Sequence, residues 1–148
     1  MELKDIVAIN GKPGLFEVKA QSKGGLIVES LLDGKRISIS VSQNISALNE
    51  IAIYTYEEEV PLRIVFKAIA AKEDGKEAIS PKENNTVLAN YFKEVLPTYD
   101  EERVYASNIK KILQWYNLLA SKNFDFSSIK ETEEQVEEQV EEQIEETK

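Results

Sequence analysis

The residues with enough chemistry to be catalytic are two carboxylate clusters, Glu57-Glu58-Glu59 and Asp100-Glu101-Glu102, and two Ser-x-x-Lys tetrapeptides, Ser107 to Lys110 and Ser127 to Lys130. Paired carboxylates can share general acid and base work in a hydrolase or hold a hard cation through oxygen. A serine three residues ahead of a lysine is the nucleophile arrangement of serine acylases. Each pattern also has a plainer reading. Both acid clusters stand where a helix is about to begin, where carboxylates meet the positive end of the dipole, and neither has the Asp/Asn/Gly spacing of a calcium loop. The Lys-Thr-Gly element that accompanies the acylase serine is missing and the tetrapeptide occurs twice in 148 residues, so Ser107 reads better as a helix N-cap. Gly11-Lys12-Pro13-Gly14 is a turn, since neither the GxxxxGK[ST] nor the GxGxxG phosphate pattern occurs. The chain has no histidine and no cysteine, which removes imidazole bases, thiol nucleophiles, disulfides and Cys/His zinc sites together. No catalytic residue, metal site or cofactor is assigned, and the expectation is a protein that binds and is not an enzyme.

The binding candidates are Lys12, Lys23, Lys35 and Arg36 on or near turns of the N-terminal region, the aromatics Tyr54 and Tyr56 at its end, and Lys110, Lys111 and Trp115 further on. A protein or peptide partner is the leading expectation. Nucleic acid is the alternative, because small β-barrels often bind it and bases beside exposed aromatics would suit it. Against it stand six acids interleaved with six bases in residues 1–56, no RNP-type aromatic motif and no basic stripe. Trp115 and Tyr116 are adjacent, so on a helix they point about 100° apart and only one can be central to a core. Tyr116 is in register with Ile109, Ile112 and Leu119, which leaves Trp115 at the border, covering a neighbour or displayed as an interface anchor.

The elements that must position these residues fall into three regions. Residues 1–56 are short β-favouring runs between turn residues. Phe16, Val18 and Ala20, and again Ile37, Ile39 and Val41, alternate with polar residues in the period of a half-buried strand. Leu26-Ile27-Val28 and Ile51-Ala52-Ile53 read as strands covered on both sides. The glycines of residues 11–14, 24–25 and 34 mark the tight turns, and residues 43–49 read as a turn or single helical turn. Five such strands predict an α+β protein that opens with a small SH3-like β-barrel or a curved antiparallel sheet. Residues 57–126 change period: stripes at Leu62, Val65, Phe66 and Ile69, at Val87, Leu88, Tyr91, Phe92 and Val95, and at Ile109 to Leu119 predict three helices, with Asn84 or Asn85 capping the second. They form a helical subdomain packed on the β-region or on itself. Residues 127–148 collapse in complexity, with Glu-Glu-Gln-Val/Ile written three times from Glu133 to Ile144, and predict a low-complexity tail, disordered or marginally helical.

The net charge of −9 belongs to that tail, which carries nine acids against two bases, whereas residues 1–126 are nearly neutral. The start Met1-Glu2-Leu3-Lys4-Asp5 lacks the basic, apolar character of an export signal, and no apolar run is long enough to cross a bilayer. A cytoplasmic protein with no membrane partner is expected, and the glycosylation-like triplets at Asn44 and Asn84 are then chance matches.

The stretches from Gly11 to Val18 and from Leu96 to Asn117, with Leu96-Pro97-Thr98-Tyr99-Asp100-Glu101-Glu102-Arg103-Val104-Tyr105 at their centre, resemble a family of uncharacterised Bacteroidetes proteins described as a domain of unknown function. The resemblance covers about residues 3–125 and leaves out the tail. It implies a bacterial cytoplasmic protein with a β-rich first part and a helical second part, and it brings no catalytic residue with it.

Overall fold

In the computed structural model, residues 2–40, 42 and 44–129 are described. Five strands, β1 (Ile6–Ile9), β2 (Phe16–Ser22), β3 (Gly25–Ser30), β4 (Arg36–Ser40) and β5 (Ile45–Ala47), form one antiparallel sheet in the order β4-β3-β2-β1-β5. The first four make a meander through the glycine turns, and the fifth returns to the free side of the first, with Val7 opposite Ala47 and Ile9 opposite Ile45. The sheet stays open: of the two architectures the sequence allowed, the antiparallel sheet forms and the closed SH3-like barrel does not.

Alternation works as expected along β1, where Val7 and Ile9 face one side and Ile6 the other. One sheet face carries a small cluster of Val7, Ile9, Phe16, Val28 and Ile39, edged by half-buried Val18, Leu26, Ile37, Ile45 and Ala47. A bulge at Lys19 shifts the β2–β3 register, and beyond it Ala20 and Gln21 are exposed, so the Phe16–Val18–Ala20 alternation is buried only in its first half. In β3 only Gly25 and Val28 are buried, because one face of the strand is solvated, which corrects the expectation of a strand covered on both sides. The outer face is laced by charge instead: Lys19 bridges Glu17 at 2.7 Å and Glu29 at 3.6 Å.

Ile51 to Ile53 is not the fifth strand of the sheet. That position is taken by Ile45–Ala47, inside the segment read as a turn, and a 3-10 turn at Leu48–Glu50 follows it. The chain then forms β6 (Ala52–Ile53), paired with β7 (Val60–Pro61) in a separate two-stranded ribbon. Glu57 to Glu59 occupy the loop of that ribbon and not a helix N-terminus; the Thr55 hydroxyl donates to the Glu58 carbonyl and fixes the loop.

Helix α1 (Leu62–Glu73) starts directly after Pro61, whose missing N–H costs nothing there. Its C-cap is Asp74 in the left-handed region, with an N–H bonded to the Ala70 carbonyl. Helix α2 (Asn85–Val95) is capped by Asn84, whose side chain accepts from the Val87 N–H at 2.9 Å. Helix α3 (Ala106–Ser121) corrects the reading of Ser107 as the cap: the N-cap position is Tyr105, and the Asn108 side chain reaches back to accept its N–H at 2.8 Å.

One hydrophobic core joins the two halves. It takes Leu3, Ile6, Leu15, Leu31 and Leu48 from the N-terminal half and Phe66, Ile69, Leu88, Phe92, Leu113 and Tyr116 from the helices. Tyr116 is fully buried, as its register predicts. Phe124 and Phe126, after α3, close the core against it. Among the described residues no helix is long and apolar enough to cross a membrane. Val41 and the glutamate-rich tail expectation lie outside the described residues.

Candidate functional site

Beside the shared core, residues 108–115 of α3 face β1, β5 and β6 across two adjoining concavities. The larger, about 380 Å³, lies between the Asn10 to Gly14 turn, Asn44 and Ser46 on one side and Lys111, Gln114 and Trp115 on the other. The smaller, about 180 Å³, lies between residues 51–54 and the α3 side chains Asn108, Lys111, Ile112 and Trp115, with Arg103 and Val104 at its end. Lys111 and Trp115 line both, so together the two form one groove with that pair at its centre.

Helical spacing builds the centre. Lys111 and Trp115 are four apart and therefore stack on one face, with the ammonium 5.9 Å from the ring centroid. Trp115 is half-buried while Tyr116, one residue on, is fully buried, so the border position read from the sequence is where the indole stands. The turn at the larger end is shaped by Gly11 and Gly14, both with positive φ, and Asn10 is tied to β5 by its N–H to the Asn44 carbonyl at 3.0 Å.

At the smaller end the Arg103 guanidinium lies 4.3 Å from the Tyr54 ring centroid and its Nε donates to Asp100 Oδ2 at 2.7 Å. The other oxygen, Oδ1, accepts the Glu102 N–H at 3.0 Å. Arg103, and then these N–H donors, hold the Asp100 carboxyl below its ordinary range. The Tyr54 carbonyl accepts the Asp100 N–H at 3.0 Å, which locks the segment to β6.

Electrostatically the groove is polarised. Among the described residues no carboxylate lines either concavity. Among the described residues Lys12 and Lys111, like Lys23, Lys35 and Lys110, have no carboxylate within ion-pair distance, whereas Lys19, Arg36, Lys72, Lys93 and Arg103 are each paired inside the fold. Beyond Tyr54 the sign reverses, with Glu57, Glu58, Glu59, Glu101 and Glu102 all exposed.

The structure thus brings together Lys12, Tyr54, Lys111 and Trp115 of the residues singled out from the sequence. Tyr56 stands just outside, 62% exposed, its hydroxyl accepting the Glu101 N–H at 3.2 Å. Lys35 lies at the same end of the sheet as Lys12, sharing with it a separate shallow concavity beside Leu32. Lys23 sits in the β2–β3 turn at the opposite end, Arg36 is held by Glu29 at 3.4 Å, and Lys110 lines neither half of the groove. Lys12, Lys23, Lys35 and Arg36 therefore do not share one face. Sequence reasoning missed Asn10, Asn44, Arg103 and Gln114. Arg103 was recoverable from its i,i+3 spacing to Asp100, but Asn10 and Asn44 meet only through the β1–β5 register.

A family model described as domain of unknown function (DUF5606) matches residues 3–48, and a second, described as domain of unknown function (DUF6852), matches residues 51–119. A solution NMR structure from Bacteroides vulgatus is similar at 41% identity over 84% of this chain and 89% of that one, with a TM-score of 0.68. No curated protein matches.

Proposed function

The chain belongs to the same family as the Bacteroides vulgatus protein, a family of domains of unknown function, and we propose, from the geometry of its surface, that it acts as a non-enzymatic interaction module whose binding surface is the groove along α3. The observation that carries this reading is that Lys12, Tyr54, Lys111 and Trp115 line the two adjoining concavities, whose walls hold no carboxylate among the described residues. Aromatic anchors with unpaired cations beside them are the usual material of a binding hot spot. Support for a non-enzymatic role comes from the absence of histidine and cysteine from the sequence and from Asp100, the buried carboxyl, being spent on Arg103 and backbone N–H groups. In this reading the module works in the cytoplasm, and the acidic tail competes for the basic end of the groove with partners of like charge.

Nucleic acid is the second reading, favoured by Lys12, Lys111 and Trp115 sharing one concavity. It is the weaker one, because exposed acids flank the other end.

Gln114, exposed on the wall of the larger concavity, is the position to test. With Gln114→p-benzoylphenylalanine in the cell, photolysis is expected to give a discrete, protease-sensitive adduct that Lys111→Glu abolishes and that the same probe at Glu83, outside the groove, does not give. A nuclease-sensitive adduct moves the assignment to nucleic acid, and equal products at Gln114 and Glu83 overturn the groove as a binding surface.

A further inference from the structure

Resting on the groove reading above, we propose that the occupant is a short polypeptide segment carrying an aliphatic side chain with acidic residues on one side of it. The two halves of the groove ask for different chemistry. The smaller half is walled by Ile51, Ile53, Val104 and Ile112, with the half-buried Trp115 ring between the halves, and so takes an apolar anchor. The larger half offers the ammonium groups of Lys12 and Lys111, neither within ion-pair distance of a carboxylate among the described residues, together with the amides of Asn10, Asn44 and Gln114. Amides of this kind satisfy a peptide backbone, and the two ammonium groups answer carboxylates on the side of the anchor that faces the larger half.

A single-stranded nucleic acid fits this surface less well. A strand long enough to fill both halves would run on toward Glu57 to Glu59, Glu101 and Glu102, where its phosphates meet carboxylates. A peptide needs negative charge only over the few residues beside Lys12 and Lys111.

Trp115 is the single tryptophan of the chain and stands at the centre of the groove, so its emission reads occupancy directly. The probes are a capped peptide of two leucines with two glutamates on one side, made in both chain directions, the same peptide with glutamines, the same peptide with alanines for leucines, and deca-uridine. They are titrated into the full chain and into a full-length variant with Glu133, Glu134, Glu137, Glu138, Glu141 and Glu142 changed to Gln, so that competition by the tail cannot hide binding. At low salt the glutamate–leucine peptide is expected to bind at least tenfold more tightly than either control peptide. The gap should shrink severalfold at high salt and be lost in Lys12→Glu/Lys111→Glu. Amide shifts are expected at Gly11, Gly14 and Gln114 and not at Gly24. No saturable change with either protein, equal binding of the glutamine peptide, or tighter binding of deca-uridine overturns the proposal. The Gln114 adduct forms with any occupant, so an adduct without peptide selectivity overturns the acidic assignment alone, while loss of both overturns the groove.

Discussion

The Tyr116 ring stacks on the Phe126 ring with centroids 4.7 Å apart and planes 22° from parallel, and this contact fastens the segment after α3 to the middle of the core. The Tyr116 hydroxyl donates in turn to the Lys76 carbonyl at 2.7 Å, so one side chain ties together α3, the loop after α1 and the last described turn. Two substitutions separate the ring from the hydroxyl. Phe126→Ala removes a large buried side chain and should cost about 3 to 5 kcal/mol. Tyr116→Phe keeps the stack and loses one hydrogen bond whose acceptor lies on an exposed residue, about 1 kcal/mol. Urea denaturation of both variants checks the order; equal losses would mean that the hydroxyl and not the stack holds the segment. Burial, with Glu73 nearby, pushes the Tyr116 hydroxyl up to about 12. The unfolded chain ionises from about pH 10. The advantage of tyrosine over phenylalanine should therefore shrink as pH rises from 10 to 12.

Gly25 faces the backbone of the neighbouring strand so closely that a β-carbon there would lie 2.0 Å from the Ile39 carbonyl oxygen. A carbonyl in a ladder cannot rotate away, so Gly25→Ala must push β4 off β3 at the Gly25–Ser40 and Leu26–Ile39 pairs. The expected loss is about 1 to 3 kcal/mol, the scale of overpacking elsewhere. Gly24, one residue earlier, has φ +88° and nothing near a β-carbon, so Gly24→Ala carries backbone strain alone, about 1 to 2 kcal/mol. Hydrogen exchange tells them apart: Gly25→Ala should lower the protection of the β4 amides, and Gly24→Ala should leave it. Unchanged β4 protection in both would show that the strand yields without separating.

Much of this was legible because it is local. The stripe through Ile109, Ile112, Tyr116 and Leu119 gave α3 its buried face, and the Asn84 cap lies where side-chain chemistry puts it. What failed was pairing. Ile45–Ala47 is three residues long, too short to show a period, and becomes a strand only because the free side of β1 accepts it. Ile51 to Ile53 looks like a buried strand in isolation, yet its partner is Val60–Pro61 after a tight acidic loop. The same limit applied to the groove. Trp115 as a border residue follows from the angle between neighbours on a helix, while its meeting with Lys12 depends on which sheet face α3 crosses.

Asp5 and Asp100 should respond to pH in opposite senses. Asp100 is held below the ordinary carboxylate range by Arg103 first and then by N–H donors. Its folded value lies below its unfolded one, so it adds stability above the unfolded value near pH 4, and that contribution disappears as pH falls through the folded value. Asp100→Asn should therefore be less stable than the parent at pH 7, with the difference closing toward pH 2. Asp5 is raised, mainly by burial, with Glu2 and Glu17 adding to the effect and Lys4 opposing it. Its charged form is disfavoured in the folded protein, so it subtracts stability at neutral pH, and that penalty is relieved as pH falls below its unfolded value. Asp5→Asn should accordingly be more stable than the parent at pH 7 and equal to it near pH 2. Thermal melts of the three proteins at pH 7, 5, 4 and 2 read both signs at once. Two variants shifted in the same direction at pH 7 would show that one carboxylate sits in an environment other than the one described, and differences that do not narrow as pH falls would assign the effect to packing instead of charge.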